Sequence, residues 1–548
     1  MKAEFVRAKN PDAVRAATRW AELKTERAIH EPDWESIAEL IRPQRGGFSH
    51  DRLRDRQMKK PLSSAPIRAQ GNFSAALYGT LTNPANKWMA IKTADAELNR
   101  WGPMAAWNEE VGARILRSFM PSNSSFYDQV MPLFSDLAAF GNGAQYDEVD
   151  SQSRKIMDVT ISLAEVVADI DAYGAVVEVV RRFHLKPAAA LAMFGAEALP
   201  PKVVELAEKG SNETQPYLHH VGRNMNFRRG SIGGRGKRWF SRYAFENEGW
   251  LIRESGYDEM PFYLPRWEVE TGHTWGTGPG FVALASTRAH HQMDAATLRA
   301  AQRAADPTIL APDREAWPLQ GQVRPGHVIY GGVNMRGDPM MAPLGFNGEI
   351  GLTLEEKAAK MQEIQEAFYW SLMNLSGRTG LSPMEVATID AERTRLWAPN
   401  MGRIQHEYLA RKIERRFQLL FRAGQLPPPP DTGRNEAVPL IVEYQSAAAM
   451  AQKASERLAI SQLLADVLPL AQVNPRYADR FSPDDVIEAL HASNGAPASV
   501  LRSREEADAL EKQRAEAHQM QQAMQMAQQG AGAVKDMAGA MGGMGGAA

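Results

Sequence analysis

Apolar residues recur at helical spacing between Leu381 and Phe421, over the longest such stretch of the chain. Val386, Ile389, Leu396, Trp397, Ile404, Tyr408, Ile413, Phe417, Leu420 and Phe421 form the stripe. Ser382, Pro383 and Glu385 precede it as N-cap, first-turn proline and capping-box acid. Gly424 and the Pro427–Pro430 run end it. The pattern predicts a helix of roughly forty residues, against a usual mean of ~11–12, and hence an element of a large assembly. Pro399 in its interior predicts a bend, because proline removes the bond to the Arg395 carbonyl and its ring clashes there.

Before that helix the pattern reads as helix, insert, helix. Phe281–Ala305 is alanine-rich, places Leu284, His291, Leu298 and Ala305 at heptad spacing, and stops at Asp306-Pro307. Thr353 and Glu356 read as a second capping box. Leu354, Ala358, Met361, Ile364, Phe368, Leu372 and Leu375 then make a continuous stripe. Each helix would have about 23–25 residues, or ~35 Å, which suggests an antiparallel pair. Residues 307–351 between them are dense in Pro and Gly and read as compact turns and short strands.

The first ~280 residues read as mixed α and β. Trp34, Ile37, Leu40 and Ile41 predict a helix that Pro43 ends. Strands are expected within Val159–Val180, with Gly174 as a turn, and within Tyr217–Ile252, split by the loop Gly230–Gly236. Pro187–Lys209 reads as helical, closed by Gly210. Beyond the long helix, Val438–Tyr444 reads as one strand and Ser446–Leu470 as a helix. Ser482-Pro483-Asp484-Asp485 starts another helix, and Ser503–Gln529 a further one. Gly530–Ala548 is low-complexity and expected to be disordered. The fold class is therefore α+β and helix-rich.

Composition narrows the possibilities without choosing among them. A chain of 548 residues exceeds one core. Hydrophobic residues make up 44% and charged residues 23%, as in soluble proteins, and no apolar run reaches the ~20 residues of a membrane span. Met1-Lys2-Ala3-Glu4 lacks a signal-peptide h-region. With no cysteine, disulfides and thiolate zinc sites are excluded. The net charge of −2 lacks the basic surplus of a tight DNA binder. It suits a conduit, and equally a protein that never meets DNA.

No catalytic constellation emerges, and neither an enzyme nor a cofactor or metal is expected. The nearest approach to a phosphate loop is Gly233-Gly234-Arg235-Gly236-Lys237-Arg238. It has Ser231 where the first glycine belongs and no Ser or Thr after the lysine. The pairs His219-His220 and His290-His291 point their neighbours apart, so neither is a chelate, and His291 reads as a packed histidine beside Leu284 and Leu298. Asp169 and Asp171 read as polar edge positions. Two basic clusters remain. Arg223–Arg242 holds seven bases and no acid, among them Arg228, Arg229, Arg235, Lys237 and Arg238. Arg42–Arg68 holds eight bases with Asp51 and Asp55. Each is either a solvated loop or a contact for nucleic acid or an acidic partner. Glu355, Glu356, Glu363 and Glu366 oppose the apolar stripe of their helix. Such a face is ordinarily solvated, but in a ring it would line the bore and repel phosphates.

Several short blocks, in order, carry a family resemblance. They are Arg19-Trp20, Trp34-Glu35-Ser36-Ile37 to Pro43, Leu77–Pro84 with Lys87-Trp88, Ser122-Asn123 with Phe126-Tyr127, and Asp136-Leu137 to Gly143. Trp275–Gly280 follows, then Pro383-Met384-Glu385-Val386, Pro399, Glu407 and Gly424-Gln425-Leu426-Pro427. From about Ala16 to Met520 the chain resembles the podovirus-type head-to-tail connector, or portal, family of tailed bacteriophages. The resemblance implies a wing over 1–280, stem helices over 281–305 and 352–375, and a clip over 306–351. It further implies a tunnel loop, long wing helix and strand over 376–445, a helical crown over 446–520 and a tail over 521–548. It implies a homo-oligomeric ring of about twelve subunits, closed head to tail, that passes double-stranded DNA. Helices ~10 Å apart around twelve positions give a circumference near ~120 Å and a channel of ~28 Å, wide enough for a duplex. The implied partners are terminase, a tail adaptor and a capsid or scaffolding protein, with no membrane, in a virion assembled in the host cytoplasm. Arg378 and Thr379 would face the channel on the tunnel loop. The other class open to these residues is a virion structural component without a DNA channel.

Overall fold

The computed structural model describes residues 8–45, 48, 62–150, 153, 155–305, 309–310, 334–336, 338–339, 342–343, 350–373, 398–431, 440–444, 457–467, 469, 482–494 and 506–521. Its first elements are α1 (Pro11–Arg27), α2 (Glu31–Leu40), α3 (Ala65–Leu81), β1 (Met89–Thr93), α4 (Ala96–Arg100), α5 (Gly102–Phe119) and α6 (Phe126–Phe140). There follow β2 (Gln145–Val149), β3 (Ile156–Thr160), β4 (Val166–Ile170), β5 (Val176–Leu185), α7 (Pro187–Phe194) and α8 (Pro201–Glu208). Next come β6 (Gln215–Arg223), β7 (Trp239–Phe245), β8 (Trp250–Tyr257), β9 (Phe262–Tyr263) and α9 (Pro279–Ala305). The last are β10 (Ile309–Leu310), β11 (Ala342–Pro343), α10 (Ile350–Ala367), α11 (Trp370–Met373), α12 (Arg411–Arg422), β12 (Leu440–Tyr444) and α13 (Pro483–Asn494). The chain divides into two compact units, residues 1–84 with 118–419, and residues 85–117 with 420–548.

In the first unit, β4-β5-β6-β7-β8 form one antiparallel sheet with helices on both faces. Successive strand residues point to opposite faces, so Tyr217 and Leu218 enter different cores. On one face Ala13, Ala16, Trp20 and Leu23 of α1 meet Val167, Val180, Leu218 and Ala244. On the other, Ala190, Leu199 and Val203 from α7, α8 and their connection meet Phe183, Tyr217, Tyr243, Phe245, Trp250 and Ile252. Each large apolar side chain so buried stabilises by about 1.5–3 kcal/mol. The Asn10 side chain caps α1, with Pro11 at its first turn. At its other end the buried Arg27 donates to the Leu163 and Val166 carbonyls, both at 2.7 Å, and pins α1 to the start of β4.

A second sheet, β3-β2-β9, lies beside α6 in the same unit. α6 ends at Gly141 (φ 71°), where a Cβ would lie 2.1 Å from the Thr277 carbonyl carbon. At Gly280 a Cβ would lie 2.1 Å from the Ala139 oxygen. Asn142 bridges the approach, donating to the Gly276 carbonyl (2.7 Å) and accepting from the Gly276 N–H (2.8 Å). Two glycine-rich blocks far apart in sequence thus exist for one backbone crossing, which aims α9.

Several sequence expectations need correction. Pro187–Lys209 is two helices, α7 and α8, because Gly195 (φ 79°) and Pro200-Pro201 break it. α10 begins at Ile350, which puts Thr353 inside the helix and not at its cap. Its stripe is buried at Ile364 and Phe368 but exposed at Leu354 and Met361, and the helix stops before Leu372. Tyr369 takes a left-handed φ of 56° there, held by stacking on Phe73. On α9 the buried histidine is His290, with Ala283, Leu284 and Thr287, while Leu298 is half exposed. Ala283, Thr287 and His290 stand at i, i+4 and i+7 and so share one face, with Leu284 beside it, whereas the heptad series 291, 298 and 305 runs along its edge. His219 and His220 do face apart, towards Ser241 (3.0 Å) and Glu178 (2.6 Å) respectively.

Of the long helix, residues 398–404 are helical, Gln405–Ala410 is a π-helix, and α12 continues to Arg422. Residues 374–397, with the cap at Ser382–Glu385 and the Arg395 carbonyl of the expected bend, lie outside the described residues. The distortion on view is the π segment, which the apolar spacing did not announce.

In the second unit β1 pairs antiparallel with β12, Met89 opposite Tyr444. Gly424 (φ 65°) turns the chain after α12, and its N–H bonds the Phe421 carbonyl. The Gln425-Leu426-Pro427 block then lies along α5. Trp107 Nε1 donates to the Pro427 carbonyl (3.0 Å) and Arg114 to the Gln425 carbonyl. α13 starts as expected, the Asp485 N–H reaching Ser482 Oγ at 3.3 Å.

Candidate functional site

The long helix carries its bases inward. Tyr408, Lys412, Arg415 and Arg416, at i, i+4, i+7 and i+8, share one face and are buried. That face lies on β2, β3 and β9 of the first unit. Lys412 pairs with Asp147 at 3.1 Å and with Asp158 closer still. Arg415 Nε donates to Asp147 Oδ1 (2.6 Å), and Arg416 Nη2 to Asp158 Oδ2 (2.5 Å) and Ser124 Oγ (3.0 Å). Tyr408 donates to Gln145 Oε1 (2.7 Å) and Tyr263 to Asp147 Oδ2 (3.0 Å). Glu259, 3.6 Å from Arg415, balances the third cation.

Desolvation alone would raise the Asp147 carboxyl, but the charges of Lys412, Arg415 and Arg416 outweigh it and hold it below the usual carboxylate range. Burial pushes the Tyr263 and Tyr408 hydroxyls well above their ordinary value, so both stay protonated donors. One turn earlier, inside the π segment, Glu407 accepts from Arg266 Nη2 (2.6 Å), Nε (3.2 Å) and backbone N–H (3.0 Å). Arg266 Nη2 also donates to the Gly174 carbonyl (2.8 Å). Every charge is thus spent on a neighbour. The arrangement fixes the helix on the strands and leaves no free base or nucleophile for chemistry. Reading the apolar stripe alone missed it, although the spacing 408, 412, 415, 416 was there to see.

The residues singled out from sequence fall elsewhere. Glu355, Glu356, Glu363 and Glu366 all lie on the exposed side of α10. Glu363 is tied to Lys360 (2.7 Å) and Ser286 (2.5 Å), and Glu366 accepts from Ser371 (2.8 Å). Between α9 and α10, Lys357 pairs with Asp294 (2.5 Å), which also faces His290 Nδ1 (3.3 Å). Burial lowers the His290 pKa. Arg228, Arg229, Arg235 and Arg238 project from the β6–β7 loop, while Lys237 pairs with Asp258 at 2.7 Å. In the other basic cluster Arg42 and Arg45 turn inward onto the buried Asp136, at 2.6 and 3.0 Å. Asp169 pairs with Arg19, and Asp171 orders the β4–β5 turn. Arg378 and Thr379 lie outside the described residues. Among the described residues no group of His, Asp and Glu is arranged to hold a metal ion, and no helix is long and apolar enough to cross a membrane.

The chain is 28% identical over 532 residues to the portal protein of Salmonella phage epsilon15, covering 94% of each. It is 26% identical over 527 residues to the probable portal protein of Bordetella phage BPP-1, covering 94% of this chain and 93% of that one. Among solved structures, a chain from the neck of an empty GTA particle aligns at 12% identity with a TM-score of 0.34, covering 78% of this chain and 90% of that one. Residues 13–501 match the family described as bacteriophage head to tail connecting protein, and the chain belongs to that family.

Proposed function

We propose that this chain is the portal subunit of a tailed phage, a structural protein and not an enzyme. About twelve copies close head to tail into a ring at one capsid vertex. The ring passes double-stranded DNA inward under a separate terminase motor and outward at ejection. Its partners are terminase and a tail adaptor at the clip, and capsid or scaffolding protein around it, in a virion built in the host cytoplasm. The observation that carries this reading is the alignment with two portal proteins along nearly the whole chain. The surface chemistry supports it: Phe281, Val282 and Leu298 on α9 and Leu354 and Met361 on α10 stand exposed, as faces awaiting a neighbouring subunit would.

The proposed division follows the order wing 1–280, stem 281–305 and 352–375, clip 306–351, tunnel loop, long wing helix and strand 376–445, crown 446–520, tail 521–548. Glu355, Glu356, Glu363 and Glu366 then repel phosphates from the bore wall, and Arg378 and Thr379 on the tunnel loop touch them transiently. Native mass measurement at micromolar concentration should find a closed ring, and Arg378→Ala should keep that mass while changing the DNA packaged or retained. A well-folded monomer contradicts the ring. Normal packaging and retention in the variant removes Arg378 from the mechanism.

A further inference from the structure

The end of the five-stranded sheet that carries the β4–β5 and β6–β7 turns is built unlike an ordinary solvated loop. β5 begins beside the end of β6, since Glu178 pairs with Gly222, so both turns lie at one end of the sheet. Tyr173 in the first is 95% exposed, and Met225 and Ile232 in the second are 88% and 99% exposed. Arg228, Arg229, Arg235 and Arg238 belong to the second turn, all exposed. The exposed side chains are four arginines, one tyrosine, one methionine and one isoleucine, and the one lysine, Lys237, is turned back onto Asp258. That is the composition of a protein-binding patch, where Arg, Tyr and Met are enriched and Lys is depleted.

Both turns are tied by hydrogen bonds. Asn224 Nδ2 donates to the Gly234 carbonyl (3.0 Å) and the Lys237 carbonyl (2.8 Å), and the Arg228 N–H donates to the Arg235 carbonyl (2.8 Å). Asp171 Oδ1 accepts from the N–H groups of Tyr173 (3.0 Å) and Ala175 (2.9 Å), and Arg266 holds the Gly174 carbonyl. Ordering a projecting loop costs conformational entropy that solvation does not return, whereas a partner gains affinity from side chains already in place.

We propose that this sheet end is a docking knob for a protein surface with an apolar depression rimmed by carboxylates, on the head shell that surrounds the ring. The proposal rests on the portal reading. Charge complementarity selects the rim, because four arginines stand together while the nearby acids Asp171 and Asp258 are taken up by the turns themselves. The apolar tips select protein over nucleic acid, since phosphate contacts give Met225 and Ile232 nothing to cover them.

The test compares the full chain with two surface variants, R228E/R229E/R235E/R238E and Y173S/M225S/I232S. Each is co-expressed with the major shell protein of the same virus, and rings per assembled shell are counted. Both variants should form rings of unchanged mass and lose at least about tenfold of the shell-attached ring, as removal of central anchors does. Attachment of either variant at the level of the unaltered chain overturns the proposal. Loss of the ring itself in either also overturns it, by making the knob a contact between copies of this chain. A duplex of about 30 base pairs provides the remaining arm: if the charge variant loses DNA affinity while the apolar variant attaches normally, the surface serves nucleic acid and the proposal fails. Failure of the unaltered chain to form rings would instead strike the portal reading.

Discussion

Lys412→Met should cost about 3–5 kcal/mol of stability, because removing one partner of a buried ion pair strands the other in low dielectric. Two carboxylates face that ammonium group, Asp147 and Asp158, and no water-exposed route lets either relax. The double change Lys412→Met/Asp158→Asn should lose less than the two single changes added together, since both act on one interaction. Urea denaturation followed by tryptophan fluorescence measures this. A loss below about 1 kcal/mol for Lys412→Met would show that the cluster is not closed to solvent.

Acid should act on the same cluster with a definite sign. The Asp147 carboxyl is held below its usual range, so its contribution is fully present above about pH 4 and is lost as pH falls through its folded value. His219 adds to the slope from higher pH. Burial, then the charges of Arg181 and Arg253, hold its pKa well below the ordinary value. The unfolded chain therefore takes up that proton first, and stability declines as pH falls below about 6.5.

Gly141→Ala should be comparably severe, about 2–5 kcal/mol. A Cβ there meets strain from positive φ, worth ~1–2 kcal/mol, and overpacking against the Thr277–Gly278 backbone, typically ~1–3 kcal/mol. The blocking atoms belong to backbone, so no side chain can swing aside. Gly280→Ala tests the crossing without the φ strain, its Cβ falling on the Ala139 carbonyl. Gly210→Ala is the control, with positive φ but open space, and should cost only the conformational part. Equal losses at positions 141 and 210 would mean that the crossing relaxes freely.

How legible these features were in sequence follows from which physics each depends on. Strands that alternate between two cores, as at Tyr217 and Leu218, announce themselves through periodicity, and so did the cap at Ser482. The glycine blocks around Gly141 and Gly278 were visible as motifs, but their mutual contact is a long-range fact that no local pattern carries. The buried bases escaped because Lys412, Arg415 and Arg416 look like a solvated face until Asp147 and Asp158 are known to lie opposite. A π segment shifts the faces of a helix by one residue and leaves no compositional trace, so Gln405–Ala410 read as plain helix. The glutamates of α10 stand exposed, and what that face meets in a ring depends on neighbouring copies.

The central claim is that copies of this chain close around a channel wide enough for duplex DNA. End-on electron microscopy of the purified protein tests it most directly. The account predicts closed rings of about a dozen subunits with a central pore near ~28 Å. Compact particles without a pore, or open chains of subunits, would contradict it and return the protein to the class of virion components that never carry the genome.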